Sequence, residues 1–150
     1  MLHKNKIPKK MLPIIEKMLA GKSDNIDFPP PVFDAMQGEL IDFNTEQSLL
    51  SNKFPILAEQ LNPYGNMQGG IICAAIDNTI GPLSLLVAQP NFTRYITVKY
   101  SKTIAFELGY IYVTARFIEK KKRQLFFEAI VKNADGEKLA SAKSTNWIID

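Results

Sequence analysis

Residues 69–88 read GGIICAAIDNTIGPLSLLVA, and this stretch decides the fold. It is apolar on nearly every face, so a helix formed here is expected to be enclosed by the rest of the chain. Gly81-Pro82 is expected to kink the helix or to end its first part, because proline lacks the N–H that an α-helix needs. Gly69-Gly70 opens the segment. The stretch therefore predicts one buried central helix.

Segments rich in β-branched and aromatic residues follow this helix. They predict four strands, over Tyr95–Lys102, Gly109–Ile118, Leu125–Lys132 and Lys138–Ile148. Ahead of the helix, residues 37–55 predict two short strands joined around Asp42-Phe43-Asn44. A sheet must bury its apolar face against another layer, and the apolar helix supplies that layer. The order predicts an α+β fold in which one antiparallel sheet curls around one central helix.

An N-terminal extension, residues 1–30, precedes this core in a chain of 150 residues, which is long enough for a single domain. Its apolar residues recur at helical spacing, at Met11, Ile14, Ile15, Met18 and Leu19. They predict an amphipathic helix that begins near Pro13 and stops at Gly21. We expect it to dock on the outside of the domain; a membrane surface or a partner protein are the alternatives. Residues 22–34 are expected to form a loop, extended at Pro29-Pro30-Pro31.

Composition and charge narrow the class of protein. The net charge is +3 and the basic residues are spread along the chain, which argues against a nucleic-acid binder. A single cysteine, Cys73, and a single histidine, His3, leave disulfides and metal ligation unsupported. No run approaches the length of a transmembrane helix, and Pro13 and Glu16 interrupt any signal sequence. We therefore expect a cytoplasmic protein with no metal and no membrane partner.

A few residues in and before the central helix could carry acyl-transfer chemistry. Asp77 lies within the apolar helix, where an unpaired buried carboxylate would be costly. Gly69 and Gly70 lie at the helix start, where free N–H groups carry partial positive charge. Asn62 lies in the loop just ahead. A carboxylate that activates water, together with donors that hold an oxyanion, would suit such a reaction.

The spacing along the helix argues for a dimer. Gly70 and Asp77 are two helical turns apart, roughly 10 Å along the axis, so one carbonyl carbon cannot easily touch both. If two such helices run antiparallel across a two-fold axis, Asp77 of one chain approaches the Gly69 end of the other. We therefore expect a homodimer or a homotetramer, and an inactive monomer.

The stretch Asn62-Pro63-Tyr64-Gly65-Asn66-Met67-Gln68-Gly69-Gly70, followed by Asp77, resembles the signature of hotdog-fold thioesterases of the phenylacetate-pathway (PaaI-like) branch. That branch has an Asn, a His-Gly-Gly and an Asp at this spacing, and the order of strands and helix is similar over residues 30–148. The resemblance implies a curved sheet wrapped around a long helix and hydrolysis of a small or medium acyl- or aryl-acyl-CoA. Coenzyme A enters as part of the substrate, and no cofactor is implied.

The resemblance also implies roles for individual residues. Asn62 and the Gly69 N–H would polarise the thioester carbonyl, while Asp77 would activate water or attack directly. Thr93 is similar to a family Ser or Thr that helps to hold the water. Gly70 and Tyr64 would contact the substrate. Gln68 stands where the family has His; it can hydrogen-bond but cannot act as an acid, and a thiolate leaves readily without one.

Several alternatives remain open at this point. Asp77 could be a structural carboxylate, and Cys73 is more typical of a core residue than of a nucleophile. The run Lys120-Lys121-Lys122-Arg123 is either a solvated hairpin tip or a contact for coenzyme A phosphates. A non-catalytic acyl-CoA-binding module is the first competing function, favoured by Gln68. A hydratase or dehydratase lacks a suitable His, and a scaffold whose N-terminal helix docks a partner is weaker still.

Overall fold

The computed structural model describes residues 1–22 and 25–149. Its helices are α1 (Leu12–Leu19), α2 (Pro31–Ala35) and α3 (Gly69–Val87). Its strands are β1 (Glu39–Asn44), β2 (Leu49–Pro55), β3 (Asn91–Tyr100), β4 (Tyr110–Lys121), β5 (Gln124–Lys132) and β6 (Lys138–Ile148).

The strands form one antiparallel sheet in the order β1-β2-β4-β5-β6-β3, so β1 and β3 are its edges. Helix α3 lies on the inner face and contacts β2, β3, β4 and β5. This arrangement is the hotdog fold, and the predicted α+β architecture with an extra N-terminal helix is confirmed. Strand β3 follows α3 directly but pairs with β6, the last strand of the chain.

Alternation along the strands builds the core. In β4, Ile111, Val113 and Ala115 are fully buried while their neighbours in the strand are more exposed. Helix α3 meets them with Ile76 and Ile80, which are also fully buried. A two-residue period on the sheet thus faces a helix, which is the packing that buries the apolar face of both.

The expectation that α3 is enclosed on every side is wrong for the single chain. Gly70 and Asp77 are exposed, and Cys73 and Gly81 are only partly buried, at positions that recur every three or four residues. These residues share one side of the helix. Polar residues lie on the buried sides of α3 as well, at Asn78, Thr79 and Ser84, so polarity along its sequence does not mark this side as the open one.

Pro82 lies inside α3, which continues to Val87, so the predicted alternative that Gly81-Pro82 ends the first part of the helix is wrong. The missing N–H of Pro82 deprives the Asn78 carbonyl of its usual donor four residues on. The side chain of Asn52, fully buried on β2, donates from Nδ2 to that carbonyl at 3.4 Å and to Thr79 Oγ1 at 3.1 Å. A side-chain donor from the sheet thus replaces the lost backbone donor.

We expect Asn52→Leu to lower the free energy of unfolding by about 1–3 kcal/mol, because it leaves the Asn78 carbonyl buried without that donor. Urea denaturation of the variant measures the loss. The matched control is Asn5→Leu, which changes an exposed amide in the N-terminal extension. Equal midpoints for Asn52→Leu and the wild type would contradict this account of Pro82.

Three local predictions need correction. Asp42 and Phe43 are paired within β1, and the turn lies at residues 45–48, where Asn44 Oδ1 accepts the Gln47 N–H at 3.0 Å. Pro31 begins α2 instead of continuing an extended loop, because its fixed φ suits the first turn of a helix. Strand β3 begins at Asn91, ahead of the predicted Tyr95.

The N-terminal extension docks on the domain. Helix α1 packs against α3 through residues that include Ile15, which is fully buried. Lys22 Nζ donates to the carbonyls of Leu86 at 3.2 Å and Ala88 at 2.7 Å, and so satisfies acceptors at the C-terminal end of α3. Of the predicted loop over residues 22–34, Ser23 and Asp24 lie outside the described residues.

Helix α3 is also long and apolar enough to cross a membrane by length and composition alone, with a mean hydropathy of 1.6. The expectation that no segment reaches this length is therefore wrong. More than half of the apolar window, 56%, is buried inside the protein. That burial, together with the strands packed on α3, is typical of a core helix.

Candidate active site

The first turn of α3 presents two free backbone donors. Gln68 is the N-cap, and its carbonyl accepts the N–H groups of Ile71 at 3.0 Å and Ile72 at 3.1 Å. Among the described residues no acceptor binds the N–H of Gly69 or Gly70. Free N–H groups of the first turn point outward from the helix N-terminus, which is the positive end of the helix dipole. They form a site that favours developing negative charge.

The loop before α3 holds Asn62 in one orientation. Its Oδ1 accepts the N–H of Tyr64 at 3.0 Å and the N–H of Asn66 at 3.1 Å. Gly65 completes the loop with a φ of 78°, which glycine adopts without strain. Because the amide oxygen is committed to the loop, Asn62 Nδ2 is left as the donor that can face a ligand.

Asn62 and Gly69 line the same cavity, of about 320 Å³, at the start of α3. Ile72 and Tyr100 line it as well. Tyr64 is 88% exposed and lies outside it, so the single chain does not place this predicted substrate contact against the cavity. A larger cavity, of about 790 Å³, lies on the sheet around Arg116 and contains none of the predicted site residues.

Asp77 and Thr93 form a second cluster on the open side of α3. Thr93 Oγ1 donates to Asp77 Oδ1 at 2.8 Å. A bulge between Thr93 and Tyr95 interrupts the pairing of β3 with β6. Asp77 is exposed, so the expectation of an enclosed carboxylate is wrong for the single chain. The hydrogen bond orients the carboxylate with one oxygen engaged.

The first cluster consists of Asn62 and the start of α3, and the second of Asp77 and Thr93. The two are separate within one chain, as the spacing predicts. Asp77 is eight residues after Gly69, which corresponds to about 12 Å along the helix axis. Strand β3 supports both, with Thr93 near its beginning and Tyr100 at its end. The oxyanion donors and the carboxylate are therefore held at the two ends of one edge strand.

Tyr100 is a site residue that sequence reasoning missed. Its hydroxyl donates to the Gly69 carbonyl at 2.8 Å, and its ring lies 3.3 Å from where a Cβ on Gly69 would be. Burial, and then the nearby Cys73, raises the pKa of Tyr100, so the hydroxyl stays a donor. In a regular strand, every second residue from Thr93 would face the helix, and Tyr100 would not be among them. The bulge shifts this alternation by one residue, so Tyr100 faces the helix.

Cys73 lies between the two clusters and is partly buried, not a full core residue as predicted. Burial, and then the charge of Asp77, raises the pKa of the Cys73 thiol. A protonated thiol is a weak nucleophile, so Cys73 is unsuited to attack a thioester.

Two further predicted site residues, Gln68 and the substrate contact Gly70, are on the surface of the single chain. Gln68 is exposed, and its Oε1 is 3.7 Å from where a Cβ on Gly70 would be. Gly70 is exposed as well. Within residues 1–22 and 25–149, no group of three or more His, Cys, Asp or Glu side chains could hold a metal ion.

No protein-family model and no curated protein matches this chain. Solved structures do match it in fold. A putative thioesterase related to phenylacetic acid degradation, from Ralstonia eutropha JMP134, superposes with a TM-score of 0.75 at 20% identity, covering 90% of this chain and 99% of that one. The Escherichia coli PaaI protein of the phenylacetic acid degradation operon gives 0.74 at 13% identity, over 81% and 86%.

A Streptococcus mutans UA159 protein bound to acetyl CoA superposes with a TM-score of 0.69 at 18% identity, covering 75% of this chain and 88% of that one. At such identities these similarities establish the fold alone.

Proposed function

We propose that the chain is an acyl-CoA thioesterase of the PaaI-like type, which hydrolyses a small or medium acyl or aryl-acyl thioester to the free acid and coenzyme A. The observation that carries this proposal is the carboxylate of Asp77, held by Thr93 on the open side of an apolar helix whose start presents free N–H donors. The thioesterase and acetyl-CoA-bound proteins of the same fold support it.

The complete site requires a second copy of the chain. Strand β3 is an edge strand and exposes Phe92, Tyr95 and Tyr100, which are 51%, 62% and 49% exposed. An exposed edge is able to pair with another strand, and an antiparallel pairing of β3 with its own copy is isologous. It would also cover the open side of α3. A dimer, or a dimer of such dimers, is therefore part of the proposal.

One register of the pairing between the two β3 strands would bring the two clusters together. If β3 pairs with its copy around Thr97, the bulge brings Thr93 beside Tyr100 of the partner subunit. Asp77 then approaches the donors at the start of the partner's helix. The same strand ends that hold each cluster in one chain would thus assemble a composite site between two chains.

Hydrolysis in such a site needs no metal. Asn62 Nδ2 and the Gly69 N–H of one subunit hold the thioester oxygen as it becomes an oxyanion. Asp77 of the other subunit takes the proton of the attacking water, whose oxygen adds to the carbonyl carbon. Alternatively the Asp77 carboxylate adds to that carbon itself, and after the thiolate has left, water hydrolyses the resulting acyl-aspartyl anhydride to the free acid. Collapse of the tetrahedral intermediate breaks the C–S bond and releases a thiolate. This thiolate can leave without protonation by an acid at position 68, because the pKa of a free thiol is about 8.5.

The experiment that tests the function is release of free thiol from a panel of acyl-CoA and aryl-acyl-CoA thioesters by the purified protein. Hydrolysis of at least one member, with saturation kinetics, supports the proposal and begins to define the acyl preference. An absence of thiol release across the panel would refute it.

Tyr100 acts as a positioning residue in this scheme, since its hydroxyl binds the carbonyl of the Gly69–Gly70 peptide. We expect Tyr100→Phe to lower kcat by about 3- to 10-fold with little change in KM, as for the loss of one hydrogen bond. Steady-state kinetics of the variant and the wild type measure kcat and KM separately. Tyr110→Phe is the control, because Tyr110 is similarly exposed on β4. An equal loss in both variants would contradict the assignment.

A non-catalytic acyl-CoA-binding module remains the second candidate, and Gln68 is the observation that favours it. A glutamine at the N-cap beside Gly70 can bind a ligand but cannot transfer a proton as an acid. Stabilisation of the protein by acyl-CoA against thermal unfolding, without thiol release, would identify this module. A cytoplasmic location stays a prediction for either function.

A further inference from the structure

The bulge in β3 inserts one extra residue into the strand directly after Thr93. Thr93 pairs with Asn146 of β6, and Tyr95 pairs with the preceding residue of β6, Thr145. Arg94 is therefore the residue without a partner in the pairing, and its side chain is exposed. A bulge of this kind changes the face of the sheet toward which the residues on one side of it point.

The direction of Thr93 depends on this extra residue. After the bulge, the residues of β3 that face the helix are the even-numbered ones from Ile96 to Tyr100. An uninterrupted strand would continue this alternation back to Arg94 and would place Thr93 on the outer face of the sheet. The hydrogen bond from Thr93 to Asp77 therefore requires the bulge.

A buried chain of polar side chains holds the segment ahead of the bulge. Asn146 Nδ2 donates to Asn91 Oδ1 at 2.9 Å, and Ser144 Oγ donates to Asn146 Oδ1 at 2.7 Å. Asn91 Nδ2 donates in turn to the Gln89 carbonyl at 2.9 Å. Asn146 is only 1% exposed. Because Asn91 is two residues before Thr93, the two share a face, and the amide pair ties this face of β3 to β6.

The amide pair and Arg94 together favour the observed bulge over its alternatives. Without an extra residue, Asn91 would turn to the outer face, and Asn146 would keep a buried N–H without its acceptor, which is costly. A buried polar pair can in this way select one register of pairing. An extra residue placed earlier in the strand would turn Arg94 inward. The guanidinium instead lies outside, 4.1 Å from the ring centre of Trp147, and Thr93 takes the inward place.

We propose that Asn146 is a positioning residue, which maintains the bulge of β3 by binding Asn91 and so keeps the Thr93 hydroxyl on the Asp77 carboxylate. The inference rests on the proposed function, since it takes Asp77 to be the catalytic carboxylate. Asn146 is buried beneath α3 and acts on the reaction through Thr93. It therefore affects the chemical step and leaves substrate binding unchanged.

We expect Asn146→Leu to lower kcat by about tenfold or more, as for the loss of a hydrogen bond to a charged group. KM is expected to stay near the wild-type value, because no group that contacts the substrate is removed. Steady-state kinetics well below the melting temperature measure both constants. The matched control is Asn52→Leu, which replaces another fully buried asparagine of the sheet and should keep the wild-type kcat. Equal losses of kcat in the two variants would show general destabilisation and overturn the assignment.

A double-mutant cycle separates a positioning role from a merely structural one. Thr93→Val keeps the shape of the side chain and removes the hydroxyl. If Asn146 acts through Thr93, the double variant should have the kcat of Thr93→Val alone, whereas independent effects would multiply. Asn91→Leu removes the acceptor at a site that is only partly buried, and should repeat the effect of Asn146→Leu. Losses that multiply, or a wild-type kcat in Asn91→Leu, would overturn the proposal.

Crystal structures of the wild type and of Asn146→Leu test the inference without turnover. In the variant we expect the bulge to be lost and Thr93 Oγ1 to lie beyond hydrogen-bond distance of Asp77 Oδ1. That result, with a wild type that hydrolyses no thioester, would sustain the positioning of Thr93 by Asn146 and refute the hydrolase. An intact bulge and an intact bond to Asp77 in the variant, with a wild type that hydrolyses acyl-CoA, would refute the inference and leave the function standing.

Discussion

Replacing Asp77 with asparagine is expected to remove nearly all thioester hydrolysis while the fold stays intact. The amide oxygen of the new side chain can still accept the Thr93 hydroxyl, which now donates to Asp77 Oδ1 at 2.8 Å. The amide cannot take a proton from water, and it is a poor nucleophile. Loss of a general base lowers kcat by about 10²- to 10⁴-fold. Little stability should be lost, because Asp77 is exposed in the single chain.

Thiol release by Asp77→Asn and by Glu46→Gln, measured side by side, provides the comparison. Glu46 is an exposed carboxylate in the turn between β1 and β2, so its variant makes a similar carboxylate-to-amide change away from the candidate site. Both variants should keep the wild-type melting temperature. An Asp77→Asn protein with near-wild-type turnover would eliminate Asp77 as the catalytic carboxylate.

A heterodimer of two inactive variants is expected to regain activity. One chain carries Asp77→Asn and the other Asn62→Asp. The second change keeps an oxygen to accept the Tyr64 and Asn66 N–H groups, which lie 3.0 and 3.1 Å from Asn62 Oδ1, but it removes the Nδ2 donor. Loss of one oxyanion donor costs about 10²- to 10³-fold in kcat, so each homodimer should be nearly inactive.

The recovery follows from the two-fold geometry. In the heterodimer one composite site contains both defects and the other contains none, so about half of the wild-type activity per dimer is expected. Co-expression with two different affinity tags, followed by purification on both, yields the heterodimer for assay. Two homodimers mixed without exchange serve as the control. A heterodimer as inactive as its parents would place Asp77 and Asn62 in one chain's own site, against the dimer proposal.

The motif residues were predictable because their signals are local. Gly69-Gly70 at a helix start, an Asn-Pro turn and an acid inside an apolar run are each visible within a few residues of sequence. The side-chain links that make a site of them are not visible in this way. The bond of Tyr100 to Gly69 joins residues 31 apart in sequence, and its existence depends on the path of β3 along the helix.

Helix α3 continues through Pro82, which shows that local sequence signals are limited in the core as well. Proline is a local signal against a helix, and on local grounds Gly81-Pro82 predicts a kink or an end of the first part of α3. Asn52 supplies the compensating donor from β2, some 27 residues before Thr79, to which it is also bonded. Tertiary contact thus overrides a local preference.

By itself the sequence determined the fold class, the central helix, the four strands after it and the spacing that separates Asp77 from the glycines, because hydrophobic periodicity and turn residues act over short distances. Only the tertiary structure decided which side of α3 stays open, since polar residues of this helix lie on its buried sides as well as on its open side. It also decided that a bulge in β3 aims Thr93 at the helix and Arg94 away from it. Both depend on β3 lying at the sheet edge beside β6, a pairing between strands that are remote in the chain.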